Sequence, residues 1–368
     1  MVRGSHDQAQ RRAVLAQPAV SRCLSAAHLQ RHAVPHRFTD RFLRRRGHAH
    51  RARQPFPRVR VLSNRRCAQP AKSAHLCLNT VVRQSPCKIN LLLNILRKRE
   101  DGYHELETIM QPVPFCDRLT VDKATTGVRL SCNLAALPVD GTNLVHKAAV
   151  AFLQAAGIAD GVQIHLEKNV PLAAGLGGGS SNAAHTLCAL NELFDLPLTV
   201  AKLQLLAAGL GSDVPFFLQS QPALATGRGE HVQQLAPFAA LQGAHILLIH
   251  PGFGISTAWA YQSLARFPEA LNGRPGRAEE LLQLLRGNDL AAAGRAFYNS
   301  LEAPALPKHP LLALYQEFLR LNGAAVVLMS GSGSTTFALT ANRAAADRLL
   351  ERFQSKFGTS AWTAVTAL

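Results

Sequence analysis

Apolar and polar residues alternate along Val162-Gln-Ile-His-Leu-Glu-Lys168, with Val162, Ile164 and Leu166 on one side, as in a half-buried strand. Further on, Ala183, Leu187, Leu190 and Phe194 recur at helical spacing. Between them lies Pro171-Leu-Ala-Ala-Gly-Leu-Gly-Gly-Gly-Ser-Ser-Asn-Ala-Ala184, a loop of glycines and serines that runs straight into the helix. The same reading finds an apolar run of strand length at Pro86–Ile95, a turn at Asp101-Gly102, and a second extended run through Val121. Asn143 to Ala156 is helical in pattern. Thr199 is placed to cap a helix reaching Ala208, with Gly209 and Gly211 breaking it before the turn Ser212-Asp213-Val214-Pro215. His245–Ile249 reads as a buried strand that opens a second half. There, Ala325–Met329 and Thr336–Leu339 flank the turn Ser330-Gly-Ser-Gly-Ser334, followed by a helix from Arg343 to Phe353 and a strand over Trp362–Val365. Helices and strands mix without strict βαβ order, so the predicted class is α+β.

Charge divides the chain unevenly. Residues 1–80 hold 17 Lys+Arg against Asp7 and Asp40, a balance of +15, whereas the other 288 residues hold 23 against 21, a balance of +2. The first 80 residues also lack glutamate, carry seven histidines and show no sustained apolar period, the signature of a solvated, disordered extension. Three readings of this segment stand: an organelle transit peptide, since those are Arg-rich and acid-poor; a nucleic-acid-binding arm, against which the few aromatics argue; or a non-functional extension read from an early start codon. The remainder divides into segments 81–243 and 244–368. The seven cysteines include no Cys-x-x-Cys pair and imply reduced thiols in a cytosol-like compartment, with Cys87 a packing residue. No apolar run reaches membrane-spanning length. A cytoplasmic protein without an obligate partner is the expectation, with an organelle as the alternative if residues 1–80 are a transit peptide.

A glycine loop entering a helix N-terminus holds phosphate, because glycines let main-chain N–H groups approach an anion and the helix start offers unpaired donors and its positive dipole end. A Walker A loop is excluded, since no lysine follows these glycines. A dinucleotide fingerprint would use Asp195, but that residue directly follows the helix and leads into Leu-Pro-Leu-Thr, not into a second parallel strand. Read on its own, the loop fits a nucleoside triphosphate or another phosphate ester, or a glycine-rich turn without a ligand; a kinase would then need an acceptor hydroxyl, a group to orient or deprotonate it, and positive charge. Taken singly, Lys88 reads equally as a snorkelling lysine on a strand and Asp213 as a turn residue. Together, a lysine beside a carboxylate near a moving phosphoryl group stabilises negative charge and keeps the acid ionised as a base.

Residues 171–184 resemble the phosphate loop of the GHMP kinases, Pro-x-x-x-Gly-Leu-Gly-Ser/Gly-Ser-Ser-x-Ala-Ala, at nearly every position. Ser85-Pro-Cys-Lys-Ile-Asn90, Arg99-Glu-Asp-Gly-Tyr-His-Glu-Leu106, Gly211-Ser-Asp-Val-Pro-Phe216, Gly227-Arg-Gly-Glu230, His250-Pro-Gly252 and Met329-Ser-Gly-Ser-Gly333 resemble one branch of that family, which serves the non-mevalonate route to isoprenoids. The similarity runs from Val82 to the C-terminus. It implies a two-domain fold, with an N-terminal ribosomal-protein-S5-like nucleotide-binding domain and a C-terminal ferredoxin-like domain. It also implies ATP, with Mg²⁺ arriving on it, and a small-molecule acceptor, 4-diphosphocytidyl-2-C-methyl-D-erythritol. By the same resemblance, Asp213 is the base for the acceptor's C2 hydroxyl and Lys88 polarises that hydroxyl. Tyr103 and Tyr261 sandwich the cytosine, His104 bonds its edge, and Asn90 holds the acceptor. Asn143 and Lys168 lie by the nucleotide, while Pro171, Gly175, Leu176, Gly177, Gly178, Gly179, Ser180 and Ser181 wrap the phosphates. Ser330–Gly333 supports the acceptor side. Ala173 and Ala174 depart from the glycines common in relatives. The competing readings are a GHMP kinase for a mevalonate derivative, a silent nucleotide-binding protein, and an RNA-binding protein acting through the basic segment.

Overall fold

A computed structural model describes residues 79–368. The expected extension thus lies outside the described residues, apart from its last two positions, of which Thr80 begins the first strand.

Strands β1 (Thr80–Lys98) and β2 (His104–Ala124) form a long antiparallel hairpin closed by the Asp101-Gly102 turn. β1 is far longer than the apolar run alone predicts, because β2 offers a ladder beyond both of its ends. Two of its register shifts, at Pro86/Cys87 and Asn90/Leu92, bracket the segment that carries Lys88. The first accommodates Pro86, which has no N–H to give a ladder. β3 (Val128–Cys132) pairs in parallel with β4 (Gly161–Glu167), and β4 pairs with β2, giving the order β3-β4-β2-β1. The hairpin of β5 (Ala223–Gly227) and β6 (His231–Gln234) adds to β2 through Leu106–Met110.

Helices α1 (Leu144–Ala156), α2 (Gly178–Leu193) and α3 (Val200–Leu210) belong to one core with this sheet. Val145, Ala148 and Phe152 of α1 and Ala184, Leu187 and Leu190 of α2 pack there with Leu119 and Val121 of β2 and Ile164 of β4. Truncating Phe152, fully buried, would cost about 3–5 kcal/mol. α3 departs from expectation: it continues through Gly209 to Leu210 and is capped by Gly211. One interior glycine costs a helix only about 1 kcal/mol, which a packed helix absorbs.

The second sheet has the order β11-β7-β10-β9, all antiparallel, from β7 (His245–His250), β9 (Val326–Met329), β10 (Thr336–Thr340) and β11 (Trp362–Ala367). β7, β9 and β10 are buried on both faces and read as largely apolar runs, while β11 at the edge is half-buried. Ile246 and Leu248 of β7, Leu328 of β9 and Phe337 of β10 share a core with Cys87, Ile89 and Leu91 of β1. Their neighbours Leu247, Ile249, Val327 and Ala338 pack with α9 (Pro310–Leu321) and α10 (Arg343–Phe357). Between β7 and β9 run α4 (Thr257–Ser263), α5 (Pro268–Leu271), α6 (Arg277–Arg286), α7 (Leu290–Gly294) and α8 (Glu302–Lys308). A two-residue strand, β8 (Tyr298–Asn299), lies beside Leu92 and Leu93 of β1, so the second half of the chain returns to the first sheet. The mixed α+β class is the observed one.

Candidate active site

The site begins with an alternation on β1. Ile89 and Leu91 face the shared core, so Lys88 and Asn90 project to the other side of the strand. There they line a cavity of about 1030 Å³. The Lys88 ammonium is buried, donates to Asn90 Oδ1 at 2.5 Å, and stands 3.6 Å from Asp213 Oδ2. The Lys88 side chain is 4% exposed and that of Asp213 42%, so the pair joins a shielded cation to a carboxylate open to the cavity. Asn90 is itself held by Thr108, to whose hydroxyl it donates at 2.8 Å; that hydroxyl donates to the Leu92 carbonyl at 2.6 Å. Cys87, the other neighbour of Lys88, is buried and its thiol is pushed up to about 12, mainly by burial, which suits an inert packing residue.

The glycine loop crosses directly over Lys88, whose main-chain N–H donates to the Leu176 carbonyl at 3.0 Å. Gly177, with φ +67°, precedes α2. No side chain caps that helix and no acid lies in its first turn, so the N–H groups of its first turn are presented without a competing intrachain anion. Gly175 has φ +76°, and a Cβ there would lie 2.0 Å from the Ser330 carbonyl oxygen; only glycine fits. That contact joins the loop to the turn Ser330–Gly333, as do the bonds from Ser330 Oγ to the Gly175 carbonyl at 3.0 Å and from the Thr335 N–H to the Ala174 carbonyl at 3.2 Å. Ala173 sits at φ +50°, a left-handed conformation that glycine takes without strain.

Tyr103, His104 and Tyr261 gather at the far end of the same cavity. His104 and Tyr261 are in ring contact at 5.1 Å between centroids, whereas Tyr103 is 56% exposed with the Arg228 guanidinium over its ring at 4.7 Å. Burial, and then Lys98, hold the His104 imidazole below its ordinary value, so it stays neutral near pH 7. Burial first, and the Asp213 carboxylate second, push the Tyr261 phenol upward.

All of the candidate residues line this cavity except Ser181 and, in the second glycine turn, Ser330 and Gly333. Ser181 lies beneath the loop, fully buried, where its Oγ accepts the Ser85 hydroxyl proton at 2.8 Å. Two others line the cavity with their polar atoms already engaged. Asn143 caps α1, accepting from the Val145 N–H at 2.9 Å and donating to the Pro138 carbonyl at 2.6 Å. The Lys168 ammonium donates to Asp117 Oδ2 at 2.6 Å and to the Val170 carbonyl at 2.7 Å, so it braces the loop from below. Thr108, Arg228 and Asn299 are not among the residues that the sequence singles out. Arg228 carries a signal, the Gly227-Arg-Gly-Glu230 turn; Thr108 and Asn299 lie in strands without a motif around them. Among the described residues, no group of three or more His, Cys, Asp or Glu side chains is placed to hold a metal ion. No described helix is long and apolar enough to cross a membrane.

A strand lysine, a turn aspartate and a helix-opening glycine loop share one cavity, and the chain's similarities to known proteins are to kinases. The GHMP kinases N terminal domain matches residues 143–221 and the GHMP kinases C terminal domain matches residues 278–359. A crystal structure of homoserine kinase from Cytophaga hutchinsonii shares the fold at 20% identity and TM-score 0.64, over 80% of this chain and 96% of that one. The chain belongs to the GHMP kinase family and is an ATP-dependent kinase. Within that family its similarity is to the 4-diphosphocytidyl-2-C-methyl-D-erythritol kinases. The enzyme of that name from Synechococcus sp. (strain JA-3-3Ab) is 43% identical over 261 residues, 69% of this chain and 83% of that one. A crystal structure of 4-(cytidine 5'-diphospho)-2C-methyl-D-erythritol kinase matches at 36% identity and TM-score 0.66, over 78% of this chain and all of the other.

Proposed function

We propose that this kinase transfers the γ-phosphoryl group of ATP to the C2 hydroxyl of 4-diphosphocytidyl-2-C-methyl-D-erythritol, giving the 2-phosphate and ADP. The observation that carries the reading is the Lys88–Asp213 pair, 3.6 Å apart, between the glycine loop on one side and the Tyr103, His104 and Tyr261 rings on the other. Gly175, Leu176, Gly177, Gly178, Gly179 and Ser180 cradle the triphosphate, with Pro171 at the entry to the loop. Asn143 lies at the nucleotide end. Asp213 takes the hydroxyl proton as the new O–P bond forms and the bond to the bridging β,γ oxygen breaks, with ADP as leaving group. Lys88 offsets the charge that gathers on the oxygens in flight. Asn90 keeps the Lys88 ammonium aimed and touches the acceptor. Neutral His104 hydrogen-bonds the cytosine edge, and Tyr103 and Tyr261 supply the aromatic faces.

Ser180 offers an oxygen donor at the cavity, which fits a Mg²⁺ ion that arrives on ATP with its other ligands from phosphate and water. That ion would neutralise charge on the β- and γ-phosphates. Residues 81–243 would form the ATP-binding domain, which also carries Asn90, Tyr103 and His104, and 244–368 the C-terminal domain, which adds Tyr261, of a cytoplasmic enzyme with small molecules as its partners. The test is ADP release by the full chain with Mg-ATP and, in turn, 4-diphosphocytidyl-2-C-methyl-D-erythritol, mevalonate and homoserine. Turnover with the cytidyl acceptor alone is the expected result; turnover with another acceptor keeps the kinase and overturns the substrate.

A further inference from the structure

Five polar side chains meet beneath the glycine loop, away from water. Asp117 on β2 is fully buried, and its carboxylate accepts four hydrogen bonds. They come from Lys168 Nζ at 2.6 Å, the main-chain N–H groups of Asn169 at 2.7 Å and Val170 at 2.8 Å, and Asn182 Nδ2 at 2.9 Å. The Asn182 amide also donates to Ser85 Oγ at 2.9 Å, and Ser85 donates to Ser181 Oγ at 2.8 Å. One carboxylate thereby ties β2, the loop entry, the first turn of α2 and, through Ser85, the strand that carries Lys88.

We infer that Asp117 is a positioning residue for ATP: it holds the Lys168 ammonium below the glycine loop and fixes the loop in its open shape. The inference rests on reading that loop as the triphosphate site. Released from the carboxylate, the ammonium would press on the loop from below, since Lys168 Nζ lies only 3.0 Å from the place a Cβ on Gly178 would occupy. Asp117 and the Val170 carbonyl hold it downward, so Gly178 and the start of α2 keep their place above it. Without the carboxylate, a buried ammonium and two main-chain donors lose their partner together, which is the costly way to break a buried pair.

The test measures KM for ATP and for 4-diphosphocytidyl-2-C-methyl-D-erythritol in full-chain variants, alongside melting temperature. Asp117→Asn raises KM for ATP about tenfold while the acceptor KM stays within about twofold. Adding Lys168→Met to that variant recovers most of the loss, because the freed ammonium is its cause. An unchanged ATP KM, an equal rise in both KM values, or no recovery in the double variant overturns the inference. A purely structural role would lower the melting temperature and leave both KM values alone. If Asp117→Asn does not fold, Asn182→Ala cuts the same network without stranding a charge. It should raise the ATP KM about threefold with the acceptor KM unmoved; no rise overturns the inference. Gly178→Val separates the two readings: an unchanged ATP KM there sinks the phosphate-loop reading and the inference with it. A raised ATP KM there beside a normal one in Asp117→Asn sinks the inference alone.

Discussion

Two glycine turns meet in the cavity, and they are held in opposite ways. Gly175–Gly179 opens a 16-residue helix with no side chain capping it, so its main-chain donors remain on offer. Ser330–Gly333 joins two antiparallel strands and closes on itself with two main-chain donors: the Ser330 N–H donates to the Thr335 carbonyl and the Gly333 N–H to the Ser330 carbonyl, both at 2.9 Å. Side chains secure it further. Asn299 Nδ2 donates to the Met329 and Gly331 carbonyls at 2.7 and 2.8 Å, and the Met329 N–H donates to Glu302 Oε1 at 2.8 Å. A glycine turn at a helix start offers its donors to an anion; the same residues between two strands, braced from both sides by side chains, make a wall. Glycine content alone does not separate the two. The partners of the main-chain groups do.

The comparison breaks most visibly at the point between the turns. Asp213→Asn should lower kcat by about 10²–10⁴-fold while ATP binding persists, because it removes the base and leaves the cradle intact. Near-normal turnover would strike Asp213 from the mechanism. Next comes the contact between the turns: Gly175→Ala forces a Cβ against the Ser330 carbonyl and a side chain into φ +76°. A stability loss of at least about 1–3 kcal/mol by chemical denaturation, with both KM values raised, is expected. A smaller effect belongs to the open end of the cavity, where Tyr103→Ala should raise the acceptor KM about tenfold and spare that of ATP.

The smallest effect concerns the anchor of the wall. Burial raises the Glu302 pKa, opposed by its bonds from Met329 and Gln316. A carboxyl whose folded pKa exceeds its unfolded value contributes stability that is complete below the unfolded value and is lost as pH rises through the folded one. Stability should therefore decline across that window just above the usual glutamate range, and Glu302→Gln should flatten the decline in urea titrations at stepped pH. An unaltered slope would show that Glu302 does not titrate there.

The cradle is legible in the sequence because its information is local: strand, glycines and helix follow one another within residues 162–194. β7, β9, β10 and β11 are legible for the same reason, as apolar runs of strand length. What escapes depends on partners far along the chain. The ends of β1 are too polar to announce a strand and become one because β2 runs beside them. β8 is two residues long and exists through its pairing with β1. Of the helices between β7 and β9, α4, α5, α7 and α8 span only four to seven residues, too short for an apolar period to show, whereas α6 carries one in Ala278, Leu281, Leu282 and Leu285. Lys168 is the instructive case at the site: its position beside the loop is visible in the sequence, but Asp117, which turns its ammonium away, lies 51 positions earlier in a strand without a motif. Ser181 is similar, since the loop pattern does not tell which of two adjacent serines faces inward.

The bond from Ser330 to Gly175 spans 155 positions, and that distance bears on the order of synthesis. A ribosome releases the glycine loop long before it releases the wall that closes against it. During that interval the emerging chain lacks the contact that holds Gly175 against Ser330. A chain cut short before residue 330 would therefore keep every residue of the loop and lose the wall that fixes its place.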